Sequence, residues 1–267
     1  MQRCPLPFES ALVDDCIKRG LSVQEGGAVY NFTGPQEFGV ADCGDSIYAM
    51  KKFVFDEKKI TPKQLKDAMD ANFGHMDGEK GCESASQTDA ITEQKVYEVV
   101  KKVLGNAGNI NLSELQNECN SKDTCACGSP EYEEIRRLLD SADSYGNDID
   151  EVDDFARRIA KIYCEEIQKY RNPRGGQFHA GIYPVSANVL FGKDVCALPD
   201  GRLAHAPLAD GVSPRQGKDT HGPTAALNSV AKLDHFLASN GTLLNQKFLP
   251  SALAGEKGLK TFASLIR

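Results

Sequence analysis

The sequence has no Trp, only 4 Met and 5 His, and an aromatic fraction of 7%. It holds no window approaching the roughly 18 uninterrupted apolar residues of a membrane span. Its first residues, MQRCPLPFESALVDDC, turn acidic early and contain no apolar signal-peptide region. Walker loops, GxGxxG, GxSxG and His-Glu-x-x-His are all absent, which removes support for P-loop NTPases, Rossmann dehydrogenases, α/β-hydrolases and zinc proteases. Positive charge is also short: 31 Lys and Arg face 38 Asp and Glu, for a net charge of −7. Non-specific nucleic-acid binding needs the opposite balance, because it rests on neutralising phosphates. Neither a nucleic acid nor a membrane is therefore expected as partner. An odd count of 9 cysteines without a secretion signal points to free thiols in a reducing, cytoplasmic setting.

What is present is ordinary globular material: 267 residues, 40% hydrophobic and 26% charged, enough to bury a core without staples. Residues 6–19 have apolar spacing for a helix that Gly20 would end. Residues 21–41 read as a short strand with loops, and a second helix is expected from about Asp45 to Phe55. Thr61-Pro62-Lys63-Gln64 is a capping box with Pro at the first helical position, opening a helix through Ala71. Residues 76–128 begin with a small, polar stretch and suggest a helical insertion between flexible flanks. A helix is expected over about Pro130–Ser141. The longest, Asp148–Tyr170, carries a stripe of Ile149, Val152, Phe155, Ile159, Ile162, Tyr163, Ile167 and Tyr170. From Arg171 onward the pattern becomes short strands between Gly/Pro turns, broken by a helix over about Ala225–Ser239. Asn240-Gly241 would stop that helix, and TLLNQKF would follow as a strand. Strands alternating with helices give an α/β class.

Each chemical signal has a bland counterpart. Cys119, Cys125 and Cys127 cluster, but zinc sites pair Cys-x2–4-Cys with a second pair or with His, so free thiols in the insertion are the default. Gly81-Cys82-Glu83 places a thiol beside a carboxylate, again within a polar loop. Among the histidines, which have no ligand spacing to one another, His179 is the one near a Gly-rich strand approach. His235 reads as a packed or capping residue. Asp200-Gly201-Arg202 and Asp210-Gly211 read first as tight turns. No metal site and no complete catalytic apparatus follow from spacing.

Several longer runs carry a resemblance. Tyr145-Gly146-Asn147-Asp148, FHAGIYPVSANVLFG, ALPDGRLAHAPLADGVSP, GPTAALNSVAKLDHFLASNGTLLNQKFLPSAL and GLKTFASLIR resemble the glycyl radical enzyme superfamily. The likeness is to its pyruvate formate-lyase-like branch, which contains glycerol and diol dehydratases, choline trimethylamine-lyase and hydroxyproline dehydratase. PLPFESALVDDCIKRG and VQEGGAVYNFTGPQEFGVADCGDSIYAMKKFVFDEKKIT continue it, so only residues 76–128 are unmatched.

The resemblance implies an α/β fold, roughly the second half of a ten-stranded barrel. Residues 1–75 would form its first part, 76–128 a helical insertion and 129–267 its second part. Family members store a radical on a glycine in an Arg-Val-x-Gly-Tyr motif and pass it to a cysteine in a Gly-Cys-Val-Glu-like motif. This chain contains neither motif, so the resemblance implies an internal fragment with no catalytic residue or cofactor of its own. In the intact family enzyme a radical-SAM activating enzyme, carrying a 4Fe–4S cluster, installs the glycyl radical. The other implied partners are a small-molecule substrate, the missing portions of the barrel and a second copy in a homodimer. The implied reaction is dehydration of a hydroxylated small molecule of the glycerol, 1,2-diol or hydroxyproline type. Formate acetyltransferase and choline C–N lyase are the alternatives within the superfamily, and a non-catalytic truncated polypeptide is the alternative outside it. One site position carries over: Tyr183, in the family's Tyr-Pro-x-Ser segment, would line the substrate pocket. Val185, two residues along the same strand, would face the same side. The bland alternative is that Tyr183 only packs the barrel.

Overall fold

A computed structural model describes residues 5–75 and 129–266; the expected insertion helices, the 119–127 cysteine cluster and Cys82 lie outside the described residues. The described residues are helices and ordered loops built on two adjoining apolar clusters.

The first expected helix is two short ones, α1 (Pro7–Leu12) and α2 (Cys16–Arg19). Val13 turns extended and Asp15 takes a left-handed φ of 74°. The Asp15 carboxylate accepts an ion pair from Arg19 at 2.7 Å. Gly20, at φ 66°, ends α2 as its sequence position suggests. The next helix starts earlier than expected: α3 spans Val40–Met50, and a π-helical turn over Lys51–Asp56 continues it. α4 (Pro62–Asp70) opens on the expected capping box. Gln64 N–H donates to Thr61 Oγ1 at 3.2 Å, and Gln64 Oε1 accepts from Thr61 N–H at 2.9 Å.

After the undescribed stretch, α5 (Pro130–Asp140) begins with proline in its first turn, as expected. α6 (Asp150–Ile167) is the longest described helix. Its apolar stripe packs as the periodicity predicts, with Val152 and Phe155 buried and Ile149, Ile159, Ile162, Tyr163 and Ile167 against the same core. Tyr170 lies past the helix end and is exposed. α3 and α6 meet closely at Gly44, where a Cβ would sit 3.1–3.3 Å from Ala156. A second cluster joins Phe53, Leu65, Phe73, Ile135 and Leu139.

The C-terminal region departs from the strand reading. Two short helices occur, α7 (Ala187–Gly192) and α8 (Pro223–Ala231), followed by α9 (Gly255–Ile266). α8 stops well before Ser239, and His235 folds back so that its Nε2 lies 2.8 Å from the Val230 carbonyl, the capping role expected of it. Among the described residues, β-pairing is confined to isolated bridges: Thr33 with Phe178, Gln36 with Gly181 and Ile182 with Thr242 in parallel, and Arg171 with Gln177 antiparallel. Among the described residues the expected half of a ten-stranded barrel is therefore not formed as a strand ladder. Three extended segments, 33–37, 177–182 and 240–243, still lie side by side. Gly181 N–H donates to Pro35 O at 3.0 Å, and Ile182 N–H donates to Gly241 O at 2.9 Å. Pro35 and Pro184 lack the N–H a longer ladder would use, and the chain turns at Pro184 and Gly241.

Cys16, Cys43 and Cys164 are free thiols as expected, whereas Cys196 is in a disulfide, contrary to an all-thiol reading. Among the described residues no helix is long and apolar enough to cross a membrane.

Candidate functional site

The side-by-side segments bring together residues distant in sequence. The turn at 239–240 grips segment 177–183 three times. Ser239 Oγ lies 2.8 Å from His179 Nδ1, Asn240 N–H donates to Ala180 O at 2.9 Å, and Asn240 Nδ2 donates to the Tyr183 hydroxyl at 2.5 Å. His179 also meets the edge of Phe32, with ring centroids 5.4 Å apart. Tyr183 is half-buried, with its hydroxyl fixed from one side.

Val185 is not on a strand. It sits in the turn after Pro184, at φ 58°, and is 79% exposed. A β-branched side chain rarely takes that backbone conformation. Strand alternation therefore does not put Val185 and Tyr183 on one face; the turn sets Val185's position instead. Ala187 N–H closes this turn onto Pro184 O at 2.9 Å.

Glu37 lies on the neighbouring segment, its N–H donating to Gly181 O at 2.8 Å. The residue as a whole is half-buried, yet its Oε2 is shielded and has no hydrogen-bond partner. Burial pushes this carboxyl up to about 8, so it carries a proton at neutral pH. Its negative charge, when formed, helps burial to raise the Tyr163 phenol, whose hydroxyl is likewise unpartnered. Burial, with Glu37 second, also lifts the Cys164 thiol to about 12, which rules it out as a ready thiolate nucleophile.

The surrounding loops are held by buried ionic groups. Asp42 accepts from Ala209 N–H at 2.6 Å, and Arg215 pairs with Asp200 at 3.0 Å. Arg202, which is 4% exposed, points its guanidinium at loop carbonyls, reaching Gly192 O and Cys196 O at 2.9 Å each and Ala206 O besides. The Asp200-Gly201-Arg202 turn is thus also the fastener of the 192–207 loop. Burial raises Asp200 to about 6, against the lowering pull of Arg215. Asn147 gathers residues 218–221, donating to Lys218 O at 2.7 Å and accepting from His221 N–H at 3.0 Å.

Sequence reasoning missed Asn240 and Glu37. Asn240-Gly241 carried the signal of a turn, with Gly241 at φ 104°, but nothing local names Tyr183 as the side chain's partner, 57 positions away. Glu37 stands between Gln36 and Phe38 in a Gly- and Pro-punctuated stretch, and nothing local there marks a carboxyl that will be shielded.

Comparison with known proteins adds to this geometry. The pyruvate formate lyase-like family model matches residues 1–192, and the glycine radical model matches residues 208–267. The chain is similar to the glycerol-bound B12-independent glycerol dehydratase from Clostridium butyricum, with a TM-score of 0.72 and 48% identity over 99% of this chain and 27% of that one. The structure described for 1,2-propanediol dehydration in Roseburia inulinivorans gives a TM-score of 0.74 at 49% identity, covering 98% of this chain and 27% of its own. The trans-4-hydroxy-L-proline dehydratase of Clostridioides difficile is 33% identical over 98% of this chain and 26% of its own length. The chain spans about a quarter of the length of these relatives.

The glycine radical match raises the question of which glycine here could hold a radical. None stands in an Arg-Val-x-Gly-Tyr motif. Of those in the matched region, Gly211, Gly217, Gly222, Gly241 and Gly255 have positive φ, and Gly258 lies in α9 with a notional Cβ 2.7 Å from Ala252 O. Positive φ is ordinary for a glycine in a turn and assigns the radical to none of them. Matched over most of its length and similar in fold to dehydratases of this type, the chain belongs to the pyruvate formate lyase-like family of glycyl radical enzymes.

Proposed function

We propose that this chain supplies a substrate-facing portion of a glycyl radical dehydratase that eliminates water from a hydroxylated small molecule. The carrying observation is the Tyr183–Val185 turn. A half-buried phenol with its hydroxyl fixed by Asn240 stands two residues from an exposed valine. That pairing suits a short polyol, whose oxygen would meet the phenol while its carbons lie against the valine. The relatives named for glycerol, 1,2-propanediol and hydroxyproline support the same substrate class.

Segments 33–37, 177–182 and 240–243 are proposed as strands of a parallel barrel completed by chain matching the rest of the relatives' length. Residues 76–128 would leave it as an excursion. The 3.1 Å contact between His75 Nε2 and Glu133 Oε2, which brings the two flanks together, supports this reading. By the same likeness, the assembled enzyme would be a cytoplasmic homodimer charged by a radical-SAM activating enzyme. The 267 residues alone would give no lyase turnover and no glycyl EPR doublet with that activator and S-adenosylmethionine.

NMR on the chain carrying carbon-13 at the tyrosine hydroxyl carbon tests the reading. Glycerol, propane-1,2-diol and trans-4-hydroxyproline are expected to move the Tyr183 resonance, identified by its loss in Tyr183→Phe. A response to choline or pyruvate alone would overturn dehydration in favour of C–N cleavage or acyl transfer.

A further inference from the structure

Asn240 occupies a slot made by two glycines. Its backbone N–H, bonded to Ala180 O, fixes its main chain beside segment 177–182. Its side-chain amide then fills the space where Gly34 and Gly181 have no side chain. A Cβ on Gly34 would come within 2.1 Å of Asn240 Nδ2, and one on Gly181 within 3.2 Å of it and 2.5 Å of the Tyr183 ring. Neither glycine has the positive φ that favours glycine, so what each provides is room rather than backbone freedom. That room is used by one contact, the 2.5 Å hydrogen bond from Asn240 Nδ2 to the Tyr183 hydroxyl.

We propose that Asn240 is a positioning residue that commits the Tyr183 hydroxyl to donating its hydrogen to a substrate oxygen, an inference resting on the reading of Tyr183 as a pocket residue. A phenol has a single hydrogen and can both donate and accept. With the amide N–H occupying its acceptor side, the O–H cannot point at Asn240, because two hydrogens would then face each other. It rotates outward and becomes a donor. The pocket therefore takes a ligand that presents an oxygen acceptor, as an alcohol does, and disfavours one presenting an ammonium, which can only donate. Gly34 and Gly181 belong to the same device, since a methyl group at either position would displace the amide or the ring.

Asn240→Asp keeps the size of the side chain and reverses its role: a carboxylate only accepts, so the Tyr183 O–H is drawn onto it. Relative to wild type, the Tyr183 carbon-13 resonance is expected to move downfield in the ligand-free variant while the resonances of the other tyrosines stay in place. Propane-1,2-diol affinity is expected to fall about 10-fold, the worth of one hydrogen bond at the upper end of its ordinary range. Gly34→Ala, which changes no hydrogen-bonding group, is expected to shift the same resonance and weaken the diol by displacing the amide. It carries the test if the aspartate variant fails to fold. An unmoved Tyr183 resonance in a folded variant, or unchanged diol affinity, overturns the proposal. If wild type binds no diol while the resonance still responds to Asn240→Asp, the pocket reading fails and the donor-setting contact stands.

Discussion

The packed helices and the loops around Tyr183 are ordered by different means. α3 and α6 associate through apolar periodicity, with Val40, Ile47, Val152 and Phe155 buried and Gly44 letting the two axes approach. The Tyr183 region has almost no regular structure among its described residues. Its segments are set by buried polar groups acting over long sequence separations: Asn240 on Tyr183, Arg202 on the 192–207 carbonyls, Asp42 on Ala209 and Asn147 on residues 218–221. A helix repeats its reason every three or four residues, so losing one contact leaves the others. A loop whose carbonyls converge on one guanidinium concentrates its polar fastening in a single side chain.

The sharpest way to break this comparison is at the fastener. Arg202→Ala is expected to cost about 3–5 kcal/mol, because it strips the buried Gly192, Cys196 and Ala206 carbonyls of their shared donor. Urea unfolding measures this, and a cost below that of a core truncation would erase the distinction. Leu139→Ala, in the second helical cluster and 1% exposed, is expected to cost about 2–5 kcal/mol while leaving the Tyr183 resonance unchanged.

A pH series separates the regions differently. Glu37 has a folded pKa raised to about 8 from an unfolded 4.5, so the folded state holds the extra proton between those values. Its contribution is fully present below about 4.5 and is lost as pH rises through 8, at up to about 1.4 kcal/mol per pH unit. Glu37→Gln should therefore gain stability on wild type steadily from pH 5 to pH 8; a constant difference would mean that the carboxyl is ionised in the fold. The smallest effect lies at a helix end. Thr61→Ala should cost about 1 kcal/mol through loss of the cap on α4, read as a shift in urea midpoint at unchanged slope.

The helical region was legible because its signals are local. Thr61-Pro62-Lys63-Gln64 states a cap within four residues, and the spacing from Ile149 to Ile167 states a buried face. The first helix misled because its periodicity carries no mark of the left-handed turn at Asp15. The strands misled for a different reason. Extended, Gly- and Pro-punctuated stretches such as 177–184 do lie extended, but pairing needs N–H groups in register, and prolines and turns reduce it to single bridges. The family was legible in long runs whose residues prove to be contacts. Ser229 donates to Asp153 at 3.0 Å, and Lys232 pairs with both Asp148 and Asp153 at 2.8 Å. At the proposed site, Tyr183 was picked out by its motif alone, whereas Val185 was read as a strand residue and lies in a turn. Asn240 was hidden, because a turn signal says nothing about which distant phenol the side chain will reach.

Crystals of the chain grown with propane-1,2-diol test the central claim most directly, that the Tyr183–Val185 turn is a wall for a hydroxylated substrate. The account predicts a diol oxygen about 2.7–3.0 Å from the Tyr183 hydroxyl, the diol's carbons against Val185 and the Asn240 contact intact. A diol bound elsewhere, with Tyr183 unoccupied at saturating concentration, would contradict it.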